Sequence, residues 1–284
     1  MEKVKLNNGV EMPLLGFGVF QVTDLKECKE SVLHALETGY RLLDTAAVYE
    51  NESAVGEAVK ESGIPREEIF ITTKVWVHDT GYEKTKKSFF HSLQKLGTDY
   101  LDLFLIHMPY GDVYGSWRAM EELYKERRVR AIGVSNFYND RIMDFMLHNE
   151  IVPAVNQIET HPFLQNEETQ KFLRDNSIQI ESWGPFAEGK GDIFHNKILQ
   201  AIGNKYSKSV AQVILRWLTQ RNVVAIPKSV RKERIIENFN IFDFYLTDED
   251  MQAIRSIDLD KTFFNDYHDP ETAIRMDAIR FTQE

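Results

Sequence analysis

The sequence predicts an α/β protein built as one closed (β/α)8, or TIM, barrel over residues 1–284, and three observations carry the prediction. Apolar runs of strand length recur about 30 residues apart, the size of a strand with its crossover helix. The runs are near-continuous in Val, Ile, Leu and Phe instead of alternating, as parallel strands covered on both faces require. Eight such units in about 250 residues is the count for a closed barrel. An open doubly wound sheet is the competing layout, and it needs a G-x-G-x-x-G turn after its first strand. The nearest approach, Gly16-Phe17-Gly18, sits inside a strand-like run and lacks the third glycine.

The elements follow in order. Strand one is LLGFGVF from Leu14. Asp24 with Glu27 then has the form of a capping box, Leu25, Cys28, Val32 and Leu36 follow at three- and four-residue steps, and Gly39 offers a stop. Strand two is RLLDT from Arg41, and strand three is IFITTKV from Ile69, with a helical pattern over 88–96. Strand four is LDLFLIH from Leu101, followed by a helical pattern over 117–124. Strands five, six and seven are AIGVSN from Ala131, AVNQIE from Ala154 and IQIESWG from Ile178. A helical stripe over 210–218 leads into strand eight, VVAIPKS from Val223, and another covers 251–257. A tail begins at about Lys261.

Composition narrows the function. With 43% hydrophobic residues and 18 Phe, the chain supports a core, which excludes intrinsic disorder. A net charge of −10 argues against nucleic-acid binding. Cys28 is the only cysteine, which excludes an intrachain disulfide, and its place on an apolar stripe reads as a buried thiol. The eight histidines show no metal-ligand spacing, and His161, before Pro162, reads as structural. The opening MEKVKLNNGVEM has no apolar signal core and no run reaches membrane-spanning length, so a cytoplasmic protein is expected, and nothing in the sequence demands more than a monomer.

Barrel enzymes work at the C-terminal ends of their strands, so the polar residues closing each run are the candidates. Strand two ends at Asp44, with Tyr49 in the loop beyond; strand three ends with Lys74 and strand four with His107. Ser135 and Asn136 close strand five, strand six carries Asn156 and Gln157, Trp183 closes strand seven, and Lys228 and Ser229 close strand eight. Singly each is ordinary: Asp44 and Lys74 could be only a buried ion pair, and His107 only a satisfied core histidine. Together, an acid, a phenol, an amine and an imidazole at one mouth make a proton donor with its tuning partners. A free tyrosine has a pKa near 10, and an ammonium about 4 Å away favours the phenolate by roughly 4 kcal/mol before desolvation. The expectation is therefore that Lys74 lowers the pKa of Tyr49, that Asp44 holds Lys74, and that His107 orients a carbonyl. This suits protonation of an oxygen that becomes negative as something adds to its carbon.

The set Asp44, Tyr49, Lys74 and His107 resembles the catalytic tetrad of the aldo-keto reductase superfamily. Further stretches resemble the family in the right order: GYRLLDTAAVYENE from Gly39, ITTKVW from Ile71, DLFLIHMP from Asp102, GVSNF from Gly133, VNQIETHP from Val155 and IPKSVRKERIIEN from Ile226. Within it they resemble the prokaryotic group of 2,5-diketo-gluconate and methylglyoxal reductases. The resemblance implies hydride transfer from a nicotinamide cofactor to an aldehyde or ketone, with Tyr49 as proton donor. It implies that Ser135, Asn136 and Gln157 hold the nicotinamide carboxamide and that Trp183 stacks on its ring. The family more often has tyrosine there, and it commonly follows its histidine with tryptophan, where this chain has Met108-Pro109 and so lacks an aromatic wall.

Residues 228–234, KSVRKER, carry four cations and one anion. A second cluster of the same net charge, KERRVR from Lys125, precedes strand five and so lies at the opposite end, where cations suit a helix C-terminus. The first cluster lies at the active mouth on a helix N-terminus, where cations oppose the dipole and a bound anion explains them better. A 2′-phosphate fits, so NADPH is expected over NADH. The resemblance adds Arg234 as the main phosphate contact, with Glu237 and Asn238 near the adenine.

Residues 184–194, with three glycines, read either as a loop folding over the pyrophosphate or as a connector. The tail from Lys261 reads either as a wrap toward the substrate entrance or as a packing arm. Phe20, Trp76 and Met108 are the expected pocket walls. Two other functions stay open: a hydrolase pairing Asp44 with Glu181, and a nicotinamide-binding sensor or scaffold on the same fold, which has no need of an acid at Tyr49.

Overall fold

The computed structural model describes residues 2–281, so the last three residues of the expected tail lie outside the described residues. Two short strands open the chain, β1 (Lys3–Lys5) and β2 (Glu11–Pro13), paired antiparallel. The expected layout did not include this hairpin, although Asn7-Asn8-Gly9 supplies its turn and Gly9 takes a positive φ. Eight parallel strands follow: β3 (Phe17–Gly18), β4 (Leu42–Asp44), β5 (Phe70–Val75), β6 (Leu101–Ile106), β7 (Val129–Ser135), β8 (Val155–Glu159), β9 (Gln179–Trp183) and β10 (Val224–Ala225). They hydrogen-bond in chain order in a single sheet.

The helices are α1 (Leu25–Thr38), α2 (Glu52–Ser62), α3 (Tyr82–Leu96), α4 (Val113–Lys125), α5 (Asn139–Leu147) and α6 (Glu167–Asp175). After them come α7 (Lys197–Tyr206), α8 (Val210–Gln220), α9 (Lys232–Phe239), α10 (Asp248–Arg255) and α11 (Pro270–Ala278). The chain therefore crosses from each strand of the sheet to the next through helical segments. Asp24 caps α1 by accepting from the Glu27 amide at 2.8 Å, and Cys28, Val32 and Leu36 of the expected stripe are buried. Leu25 is not: it stands at the first helical position, beyond the packed turns, and is 47% exposed.

The sheet is strongly curled. Asp44 of β4 and Gln157 of β8 lie four strands apart, a separation of about 19 Å in a flat sheet. Their side chains nevertheless meet, Gln157 Nε2 donating to Asp44 Oδ2 at 2.9 Å. At the outer strands the backbone also joins. Ala225 N–H donates to Leu14 at 2.9 Å, Gly16 N–H to Ala225 at 2.8 Å and Gly18 N–H to Pro227 at 3.0 Å. The expected first and last strands are each reduced to two residues of regular ladder. A Cβ at Gly16 would lie 2.0 Å from Leu42 Cδ2 of β4 and 3.0 Å from Ile226 Cγ2 after β10, and one at Gly18 would lie 3.2 Å from the Ile226 carbonyl. The Gly-x-Gly pair thus serves packing between the first and last strands, not a phosphate turn.

Candidate active site

Strand length decides which side chains reach the C-terminal edge of the sheet. Asp44 is the last residue of β4, Lys74 the last but one of β5, and His107 follows β6 directly. Tyr49 ends a single 3₁₀ turn, Ala47–Tyr49, and Glu50 beyond it turns the chain through a left-handed φ of 56°. Buried Asn51 braces this loop, donating to the Val19 and Val22 carbonyls at 2.9 and 3.1 Å and accepting from Thr45 at 2.8 Å. Sequence reasoning missed Asn51, although an asparagine just before a helix, two residues from the tyrosine, was a visible signal.

Lys74 is fully buried, its Nζ 2.6 Å from Asp44 Oδ1 and 2.9 Å from the Thr45 carbonyl, and 5.1 Å from the centre of the Tyr49 ring. Burial works against its charge, but the Asp44 carboxylate beside it raises its pKa above the ordinary value, so the ammonium persists. Tyr49 meets His107 edge-on at 5.6 Å, and Phe20 leans on it at 4.9 Å while staying 49% exposed. Burial and the Lys74 charge push His107 well below the ordinary imidazole range, so it is neutral, and its Nδ1 is buried without a partner.

One expectation is corrected. Lys74 does pull the Tyr49 pKa down, yet burial, aided by the carboxyls of Asp44 and Glu181, overrides it and pushes the phenol up to about 12. Desolvation of a phenolate exceeds the gain from one ammonium that is already paired with a carboxylate. The group therefore holds its proton throughout the neutral range. An acid suits that state better than a base.

The other predicted residues sit around this group. Ser135 ends β7, and its hydroxyl donates to the main-chain carbonyl of Gln157 at 2.8 Å. Asn136 follows in a left-handed conformation, donates to the His107 carbonyl at 3.1 Å and accepts from the Trp183 indole N–H at 2.8 Å. Asn156 donates to the Phe137 carbonyl. Gln157 spends its side-chain amide nitrogen on two carboxyls, Asp44 and Glu181, so of that amide only the side-chain oxygen is left for another partner. The carboxyls of Asp44 and Glu181 are thus bridged by an amide and do not flank an open space, which removes the basis of the hydrolase pairing.

At β10, Lys228 is exposed, Ser229 is buried with its hydroxyl accepting from the Arg231 amide at 3.1 Å, and Arg234 is exposed in the first turn of α9. Neither Lys228 nor Arg234 has a carboxylate partner among the described residues. The second cluster behaves otherwise: Lys125 pairs with Glu150 and Arg130 with Asp102, each at 2.7 Å. Two cations of the 125–130 cluster are thus paired by the protein, whereas in the 228–234 cluster Lys232 lies 3.5 Å from Glu37 and the charges of Lys228 and Arg234 are left for something outside the protein. A phosphate fits that donor set. Glu237 is half-buried and Asn238 buried on α9.

Loop 184–195 and the tail meet over Trp183. Lys190 donates to the Phe263 carbonyl at 2.9 Å and lies 3.8 Å over the Phe264 ring, which packs edge-on against Trp183 at 5.3 Å. Buried Glu159 accepts from Thr262 and the Phe263 amide, and it also binds His161, which is structural as expected. Farther on, the tail reaches the opposite wall. Trp76 donates to the Ile279 carbonyl at 3.1 Å, and Met276 packs in one cluster with Trp76 and Met108. The tail thus touches three of the predicted site residues. On loop 184–195 the Lys190 contacts are accompanied by a longer one, from Gln21 to Glu188 at 3.4 Å.

Comparison with known proteins identifies the family. Glyoxal reductase of Bacillus subtilis (strain 168) is 51% identical over 261 residues, covering 92% of this chain and 94% of the relative. An aldo-keto reductase crystal structure, MGS-M4 from a deep-sea metagenome library, superposes with a TM-score of 0.91 at 46% identity, over 94% of this chain and 98% of that one. A Bombyx mori aldo-keto reductase solved in complex with NADP gives a TM-score of 0.88 at 33% identity, over 93% and 95% of the two chains. The model of the Aldo/keto reductase family matches residues 14–259, and with these likenesses it establishes that the chain belongs to the aldo/keto reductase family.

Proposed function

We propose that this protein reduces aldehydes or ketones to alcohols with NADPH, Tyr49 delivering the proton. The observation that carries the reading is the buried Lys74–Asp44 pair beneath a phenol that keeps its proton, beside a neutral His107. When bound, NADPH supplies the hydride that adds to the carbonyl carbon. The rest falls to the chain. His107 offers an N–H to the carbonyl oxygen and so holds it toward Tyr49, and the phenol O–H passes its proton to that oxygen as negative charge develops. Lys74 stabilises the phenolate left behind, and Asp44 fixes Lys74.

For the cofactor, the Gln157 side-chain oxygen, Ser135 and Asn136 would hold the carboxamide and Trp183 would lie against the ring. Lys228, Ser229 and Arg234 would take the 2′-phosphate, with Glu237 and Asn238 on the adenine side. Phe20, Trp76 and Met108 would wall a pocket for small carbonyls. We read the curled sheet as a closed (β/α)8 barrel, supported by the backbone bonds between Leu14–Gly18 and Ala225–Pro227. The test is nicotinamide absorbance with NADPH and a panel containing methylglyoxal, phenylglyoxal and diketo-sugars. Tyr49→Phe should retain NADPH binding and lose reduction by about 10²-fold or more. NADPH binding without consumption of any carbonyl by the wild type favours the sensor, and near-wild-type turnover in Tyr49→Phe removes the proton donor.

A further inference from the structure

A buried carboxyl lies under the site and has no part in the chemistry so far. Glu181 is the third residue of β9, in register with Gln157 of β8, and it is fully buried. Its Oε2 accepts from Gln157 Nε2 at 3.0 Å, the nitrogen that also donates to Asp44 Oδ2 at 2.9 Å. Asp44 Oδ1 in turn accepts from Lys74 at 2.6 Å. Four side chains from β5, β4, β8 and β9 therefore form one continuous chain ending below Tyr49. Glu181 Oε1 is buried with no partner.

The chain contains two carboxyls and one ammonium. With both carboxyls ionised, a net negative charge would sit in a dry interior, and a buried charge without its own counterion is costly. Three groups facing Glu181 decide its state. Burial and the Asp44 charge push its carboxyl up to about 8, against the Gln157 hydrogen bond and the Lys74 charge, which pull it down. Glu181 also acts in the other direction, its negative charge helping to hold the proton on Tyr49.

We propose that Glu181 is a positioning residue of the reduction: it shares the Gln157 amide with Asp44, leaving the Gln157 side-chain oxygen for the cofactor, and only while it carries a proton is Lys74 balanced by one carboxylate instead of two. Its ionisation makes Tyr49 a weaker acid and slows proton delivery to the carbonyl oxygen. Tyr49 itself holds its proton until far higher pH, so loss of turnover in the mildly alkaline range belongs to Glu181. The proposal rests on Tyr49 as the donor.

The experiment follows kcat against pH at saturating NADPH and methylglyoxal, for the wild type and for Glu181→Gln, which keeps the volume and an acceptor for Gln157. The wild type should fall about threefold or more through an inflection near pH 8, the added Glu181 charge weakening the donor and being felt in part in the transition state. In Glu181→Gln that inflection should vanish, while the NADPH dissociation constant, read by tryptophan quenching, stays flat across the same range in both proteins. An inflection of equal size in the variant, or a flat wild-type profile, overturns the proposal. Carbon-13 carboxyl NMR of the glutamate-labelled protein reads the group directly, Glu181→Gln assigning its signal against that of buried Glu52, whose pKa burial also raises: a Glu181 signal titrating near 8 supports the proposal, and one titrating below about 6 overturns it. Tyr49→Phe separates the two readings. If it loses turnover while Glu181→Gln keeps the inflection, only the present proposal falls; if it turns over like the wild type, both fall.

Discussion

Replacing Lys74 by methionine measures what the buried ammonium holds in place. The side chain is fully buried and reaches Asp44 at 2.6 Å and the Thr45 carbonyl at 2.9 Å. In Lys74→Met, Asp44 retains only the N–H of Gln157, and its charge is stranded without a countercharge. Breaking a buried pair from one side costs about 3–5 kcal/mol. At about 2.1 cal/mol/K of unfolding entropy per residue, that lowers the Tm of a chain this long by roughly 5–8 °C. The double variant Asp44→Leu/Lys74→Met removes the stranded charge and should recover at least half of the loss. Thermal unfolding of the wild type, the two single variants and the double variant at neutral pH closes the cycle. A fall of less than about 2 °C in Lys74→Met would refute the reasoning, because the penalty is that of a desolvated carboxylate. So would a double variant destabilised by the sum of its parents.

Arg234→Ala should raise the dissociation constant of NADPH about tenfold or more, the worth of a charge-assisted phosphate contact, and leave NADH nearly unchanged. Equal weakening of both would refute the phosphate assignment. Glu181 also predicts a pH dependence of stability. Its folded pKa of about 8 lies above the ordinary 4.5, so the folded protein binds the extra proton between these values and loses stability as pH rises through them. The slope is up to about 1.4 kcal/mol per pH unit, with the full contribution present below the unfolded pKa. Glu181→Gln should therefore gain in Tm relative to the wild type from pH 5 to pH 8, and a pH-independent difference would show that the carboxyl is ionised throughout.

Much of the site was legible because strand ends are local features. The runs ending at Asp44, Lys74, His107, Ser135 and Trp183 stop where the apolar pattern stops, and each of those residues does stand at the C-terminal edge of the sheet. The capping of α1 by Asp24 was legible for the same reason. The short first and last strands were not, because their apolar runs continue past the ladder and pack through Gly16 and Ile226. The contrast between the two basic clusters was read from their places along the chain, but the partners Glu150 and Asp102 of Lys125 and Arg130 come from other segments.

The sequence by itself determined the alternation of strand and helix, the residue types collected at one edge and the family they resemble, since periodicity and motif order are properties of neighbours along the chain. Tertiary structure decided how those groups act on one another. Asp44 and Gln157 are 113 residues apart and meet only because the sheet curls, and with that contact come the commitment of the Gln157 amide and the link to Glu181. The direction of the Tyr49 shift was likewise out of reach of spacing. A neighbouring ammonium can be read from a motif, but desolvation is the sum of everything packed around a group, and here it is the larger effect.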